Sequence, residues 1–166
     1  DSGAFFVQAA GPADGMPVLL AHGTAAWSGF WKAEVDLLGA QGPYRAIAFD
    51  MPPFGFSDRA VDGDYSRATQ ARRILDLVAT LDTPPIMVAH SFGAAAATEA
   101  VLQNPNAFAG LIIVDGALGM TTDPVKKPMP LPVRPKVLRQ AALAATVTNP
   151  LATKRLLRGL LYNKDA

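Results

Sequence analysis

The chain contains no cysteine. That excludes disulfide scaffolds, thiolate zinc sites, iron–sulfur clusters and cysteine nucleophiles. Histidine is scarce, and His22 and His90 are the only two. No apolar run approaches the roughly 18 residues of a membrane span. No basic start followed by an apolar stretch precedes the first strand, so no leader is read. Charged residues make up 17% and apolar residues 50%. A disordered chain needs the opposite balance, so a packed core is expected. A net charge of +1 argues against a general nucleic-acid binder. With 166 residues the chain is long enough for one domain, which would bury roughly 70% of its unfolded surface.

The small net charge hides an asymmetry. Residues 1–120 carry six Lys/Arg against twelve Asp/Glu, and residues 121–166 carry nine against two. Pro124, Pro128, Pro130, Pro132 and Pro135 cluster at the junction. A charge reversal across a proline-rich stretch predicts two units, 1–120 and 121–166.

Apolar runs of strand length recur at Phe5–Ala9, Pro17–Ala21, Tyr44–Phe49, Ile86–Ala89 and Leu111–Val114. Helical patterns lie between them. One covers about 29–40, with Ser28 as cap and Phe30, Trp31, Val35, Leu37 and Leu38 as its apolar set. Trp27, Phe30 and Trp31 are expected mostly in the core. A second helix spans Ser66–Asp82 and an Ala-rich third spans Gly93–Gln103. Alternating strands and helices, with strands apolar throughout, predict a doubly wound, mostly parallel α/β sheet. In such sheets function gathers at the C-terminal strand ends. Those ends carry His22, Asp50, His90-Ser91 and Asp115.

Ala89-His90-Ser91-Phe92-Gly93 joins a strand to a helix. This is the setting of a nucleophile elbow, a sharp turn that lifts a serine hydroxyl above the sheet. Its strained backbone needs small neighbours two places away, and Ala89 and Gly93 supply them. The bland alternative is a serine that merely caps the helix. A serine attacking a carbonyl also needs an oxyanion hole. The Phe92 N–H is one candidate donor. Gly23 lets the loop after the second strand turn, which makes the Thr24 N–H the second candidate and Ala25 the runner-up. His22 reads as a brace for that loop, and His90 as structural or pocket-lining. Asp50, Ser57 and Asp58 read as loop-forming.

These motifs, with Asp50-Met51-Pro52-Pro53-Phe54-Gly55-Phe56-Ser57 between them, resemble the α/β-hydrolases of the serine esterase and lipase type. The resemblance covers about residues 4–120. It implies an acyl-enzyme on Ser91 and no metal or organic cofactor. An aspartate nucleophile would suit a dehalogenase or epoxide hydrolase, and this chain has serine. Carbon–carbon bond hydrolysis, peptide hydrolysis and haloperoxidase activity stay open on the same scaffold, as does a non-catalytic binding module.

The family's order is Ser, then Asp/Glu, then His, yet no histidine follows Ser91. The resemblance therefore implies the N-terminal part of a larger core, with acid and base on a C-terminal segment of the same or a separate chain. Asp115 is an alternative acid. Residues 121–166 would form the start of a helical cap. There Leu156, Leu157, Leu160 and Leu161 share one helix face, and Lys154, Arg155 and Arg158 share the opposite one. The substrate expected is a small, apolar ester. Membrane-surface contact through the three basic residues is a further possibility.

Overall fold

Every residue of the second strand from Pro17 to Ala21 is buried. Successive side chains of a strand point to opposite faces. Leu19 and Ala21 therefore enter one core, while Val18 and Leu20 enter another. A strand apolar on both faces needs cover on both, and the helices provide it.

The computed structural model describes residues 3–59, 63–116 and 118. The segment 121–166, expected to begin a cap, with Lys154, Arg155 and Arg158, lies outside the described residues. Five strands form one sheet: β1 (Val7–Ala10), β2 (Met16–Ala21), β3 (Tyr44–Phe49), β4 (Ile86–His90) and β5 (Gly110–Val114). Their spatial order is β1-β3-β2-β4-β5. All neighbours pair parallel except β1 with β3. Three helices cross between parallel strands: α1 (Lys32–Ala40), α2 (Arg67–Val78) and α3 (Phe92–Gln103). This is the mostly parallel, doubly wound sheet that the alternating pattern predicts.

On one face, Leu19, Ile47, Phe49, Met87 and Ala89 pack with Ile74 and Val78 of α2 and Ala94, Ala97 and Ala100 of α3. Alanine along α3 lets its backbone approach the sheet closely. On the other face, Val18, Leu20, Ala46 and Ala48 meet Trp31 and Val35. Each fully buried Leu or Phe contributes about 1.5–3 kcal/mol.

The chain passes from β2 to β3 on one side of the sheet and then returns to place β4 on the other side of β2. Strand order thus reverses between β2 and β4. Loops leaving the C-terminal ends of strands on either side of such a switch point diverge and leave a crevice. The loops in question begin at His22 and Ser91.

Several local expectations are corrected. Ser28 does not cap a helix. It opens a 3-10 turn, Ser28–Trp31, and α1 starts only at Lys32. Its N–H is committed to Asp50 and its hydroxyl to Gln8. Phe30 and Leu37 are more than half exposed, and Trp27 is nearly so, while Trp31, Val35 and Leu38 of that stretch pack toward the sheet. Helix α2 stops at Val78 rather than Asp82, where Thr80 and Leu81 tighten into bonds to Leu77 and Val78. Ser66, read as the first helical residue, is instead the cap of α2 and accepts from the Thr69 N–H at 3.3 Å. Strand β5 is not covered on both faces, for Ile112 and Val114 are partly exposed.

Candidate active site

The turn between β4 and α3 pivots on Ser91, whose backbone lies at φ 50°, ψ −113°. Positive φ in a residue other than glycine costs on the order of 1–3 kcal/mol and persists only where its surroundings hold it. Here the Ser91 N–H still reaches back to the Val114 carbonyl of β5 at 3.1 Å, while the next residue begins a helix. The Ser91 side chain makes no capping hydrogen bond. The capping alternative is therefore absent from this structure, and among the described residues the hydroxyl makes no hydrogen bond.

Close contact explains the small residues around this turn. A Cβ on Gly93 would lie 2.7 Å from the His22 carbonyl oxygen and 3.1 Å from the Ala21 Cβ. Any side chain there would push α3 off the end of β2. A Cβ on Gly23 would lie 3.1 Å from the Ser91 Cβ. Ala89 is fully buried and pairs with Ala21 across the β2–β4 ladder. Together these contacts bring the loop after β2 against the serine.

That loop continues through Gly23, Thr24 and Ala25. Ala25 takes φ 59°, and the Ala26 N–H closes onto the Gly23 carbonyl at 3.3 Å. Thr24 is exposed at the tip. Phe92 is the first residue of α3, whose leading N–H groups have no partner within the helix. Among the described residues, neither the Thr24 nor the Phe92 N–H is consumed by a hydrogen bond.

His22 is fully buried. Its Nε2 accepts from the Met51 N–H at 2.9 Å, and its Nδ1 lies 2.7 Å from the Gly23 carbonyl. One nitrogen accepts and the other donates, which describes a neutral ring protonated on Nδ1. Burial lowers its pKa below the usual 6.5, outweighing the Gly23 carbonyl and Asp50, which raise it. Phe54 meets the ring edge-on at 5.9 Å. With both nitrogens occupied, His22 joins the β2 loop to the β3 loop and has no site left to take a proton from Ser91.

Asp50 makes a second joint between the same loops. Its carboxylate accepts from the Ser28 N–H at 2.5 Å and from the Phe56 N–H at 2.7 Å. Gly55, at φ +60°, leaves room for that carboxylate where a Cβ could not fit. Ser57 donates to the Asp50 carbonyl at 2.7 Å and accepts from the Phe6 N–H at 2.8 Å. Asp58 accepts from the Ala4 N–H at 2.9 Å. Gln70 of α2 donates to the Pro52 carbonyl. Sequence reasoning places Asp50, Ser57 and Asp58 in the loop but misses Ser28 and Gln70 as partners. The signal for Asp50 is the glycine five residues on, since backbone folding over a carboxylate needs a residue without a side chain.

The aromatic surroundings differ on the two sides. Phe54 and Phe92 meet edge to face at 6.1 Å. Phe30 stacks on His90 at 5.0 Å with the planes 21° apart, and Trp31 meets His90 edge-on at 6.5 Å. His90 is partly buried beside Ser91. Asp115 ends β5 next to the elbow, exposed, at φ 49°. Among the described residues no cluster of His, Asp and Glu is suited to holding a metal ion.

Comparison with known proteins fits this geometry. A relative from Variovorax paradoxus named "Putative carbamate hydrolase RutD" is 33% identical over 106 residues, covering 63% of this chain and 40% of that protein. An epoxide hydrolase from Caballeronia sordidicola is 35% identical over 105 residues, covering 61% of this chain and 30% of that protein. The thioesterase domain from the curacin biosynthetic pathway superposes with a TM-score of 0.63 at 25% identity, covering 95% of this chain and 57% of that one. The chain spans about two fifths of the length of the first of these relatives. The profile described as "Alpha/beta hydrolase family" matches residues 18–165, and the chain belongs to that family.

Proposed function

We propose that Ser91 is the nucleophile of a serine hydrolase acting on carboxylic esters. The observation that carries this reading is the strained Ser91 backbone, whose hydroxyl is spent on no structural bond. In this reading Ser91 Oγ attacks the ester carbonyl carbon and its proton passes to a base. The N–H groups of Phe92 and Thr24 donate to the oxyanion of the tetrahedral intermediate. Its collapse expels the alcohol, which takes the proton, and water then cleaves the acyl-enzyme by the same route. Oxyanion stabilisation favours carbonyl substrates, and two of the relatives above carry carbamate and thioester hydrolysis in their names. No metal or organic cofactor enters these steps.

The base is a histidine outside these 166 residues. His22 is occupied on both nitrogens, and the buried His90 Nδ1 finds no hydrogen-bond partner among the described residues. The acid that orients the base lies outside the chain as well, with Asp115 the alternative within it. Ser91→Ala, introduced into the full natural polypeptide, is expected to abolish turnover of a p-nitrophenyl ester. Undiminished turnover would overturn the assignment. Alternative bond types on the same nucleophile are separated by a panel of ester, amide and carbon–carbon cleavage substrates. A binding module without chemistry turns over none of them.

A further inference from the structure

His90 stands beside the nucleophile. Its Nδ1 is buried and finds no hydrogen-bond partner among the described residues. That nitrogen costs desolvation without return, so what this edge of the ring offers its neighbours is shape. Phe30 stacks on the ring and Trp31 meets it at a near right angle. The Nδ1–Cε1 edge points at Gly23, where an added Cβ would lie 2.8 Å from Nδ1 and 3.2 Å from Cε1. The same point is 3.1 Å from the Ser91 Cβ. Gly23, His90 and Ser91 therefore meet at one place, and the backbone between His22 and Thr24 rests on the imidazole edge.

We infer that His90 is a positioning residue: its ring is the floor that sets how closely the Gly23–Thr24 loop approaches Ser91, and hence where the Thr24 N–H stands. This rests on the reading of Ser91 as nucleophile and Thr24 as oxyanion donor. Removing the floor lets the loop settle, displacing a donor that acts mainly on the developing oxyanion. A donor that binds only the transition state changes kcat and leaves KM alone.

The test is a double-mutant cycle in the full natural polypeptide, with Gly23→Ala, His90→Ala and the pair. Ester kinetics and affinity for a trifluoromethyl ketone analogue are read on each. His90→Ala is expected to lower kcat by about 10- to 100-fold, as a misplacement on the order of 1 Å does. KM should stay within about twofold, and analogue affinity should weaken in step with kcat/KM. Gly23→Ala drives its methyl into the ring and should also lower kcat. In the pair the contacts with the ring are gone and only the 3.1 Å approach to the Ser91 Cβ remains, so the losses should fall short of additive. His90→Phe keeps a ring without nitrogens and should restore most of the activity. The inference is overturned if His90→Ala leaves kcat per folded molecule unchanged, if the two losses multiply, or if His90→Phe is as damaged as His90→Ala. Reaction with a fluorophosphonate separates this from the reading beneath it. A wild-type protein unlabelled at Ser91 overturns both, whereas a labelled wild type with normal His90→Ala kinetics overturns only the positioning role.

Discussion

Lowering the pH from 7.5 to 5 should destabilise this fold through His22 in particular. The ring is buried, Nε2 accepts from Met51, and burial holds its pKa below 6.5. In the unfolded chain the same histidine binds a proton near pH 6.5. Below that value, and above the folded pKa, the unfolded state holds more protons than the native one. Stability therefore rises with pH through this window and is lost as pH falls through it. One such group gives a slope of at most about 1.4 kcal/mol per pH unit. Across the 1.5 units from 6.5 to 5 the ceiling is about 2 kcal/mol. Protonation also turns Nε2 into a donor facing the Met51 N–H, so the native state has no easy way to accept the charge. His22→Asn keeps a carbonyl acceptor and removes the titration. Urea melts followed by circular dichroism at half-unit pH steps give both stability curves. The variant should be less stable than wild type at pH 7.5, and the gap should narrow as pH falls from 6.5 to 5, by no more than about 2 kcal/mol. A gap independent of pH would show that His22 charges in the fold at no cost, which refutes the bracing role.

Three other outcomes follow from the site. Asp50→Asn turns one of two acceptors into a donor facing a backbone N–H, and should cost about 2–4 kcal/mol by urea melt. Gly93→Ala sets a methyl 2.7 Å from the His22 carbonyl; it should cost about 1–3 kcal/mol and lower kcat as α3 shifts. Asp115→Asn should leave ester turnover within a few-fold in the full natural polypeptide, whereas a loss near 10⁴ would move the acid onto β5.

Much of this architecture was legible in the residue pattern because the strands are apolar on both faces and the helices are not. Tyr44–Phe49 is recovered to the residue, and the second helix is found in place, with its start at Ser66 turning out to be the cap. The turn at Ser91 was legible from small residues between a strand and a helix. Failures occur where a residue's partner is distant in sequence. Ser28 reads as a cap until Asp50, 22 residues away, takes its N–H. Phe30 reads as core, yet it lies over His90 with half its surface open. His22 reads as a brace from its place before Gly23, whose carbonyl does meet Nδ1, but the Met51 N–H that occupies Nε2 comes from the β3 loop, 29 residues away. Spacing finds loops and turns, while the choice of partner across the sheet is made by packing.

The central claim is that Ser91 is a nucleophile. Its most direct test is treatment of the full natural polypeptide with a fluorophosphonate, followed by peptide mass spectrometry. The account predicts one adduct, on the peptide containing Ala89-His90-Ser91-Phe92-Gly93, and none in Ser91→Ala. An unlabelled protein, or an adduct that survives the substitution, would contradict it.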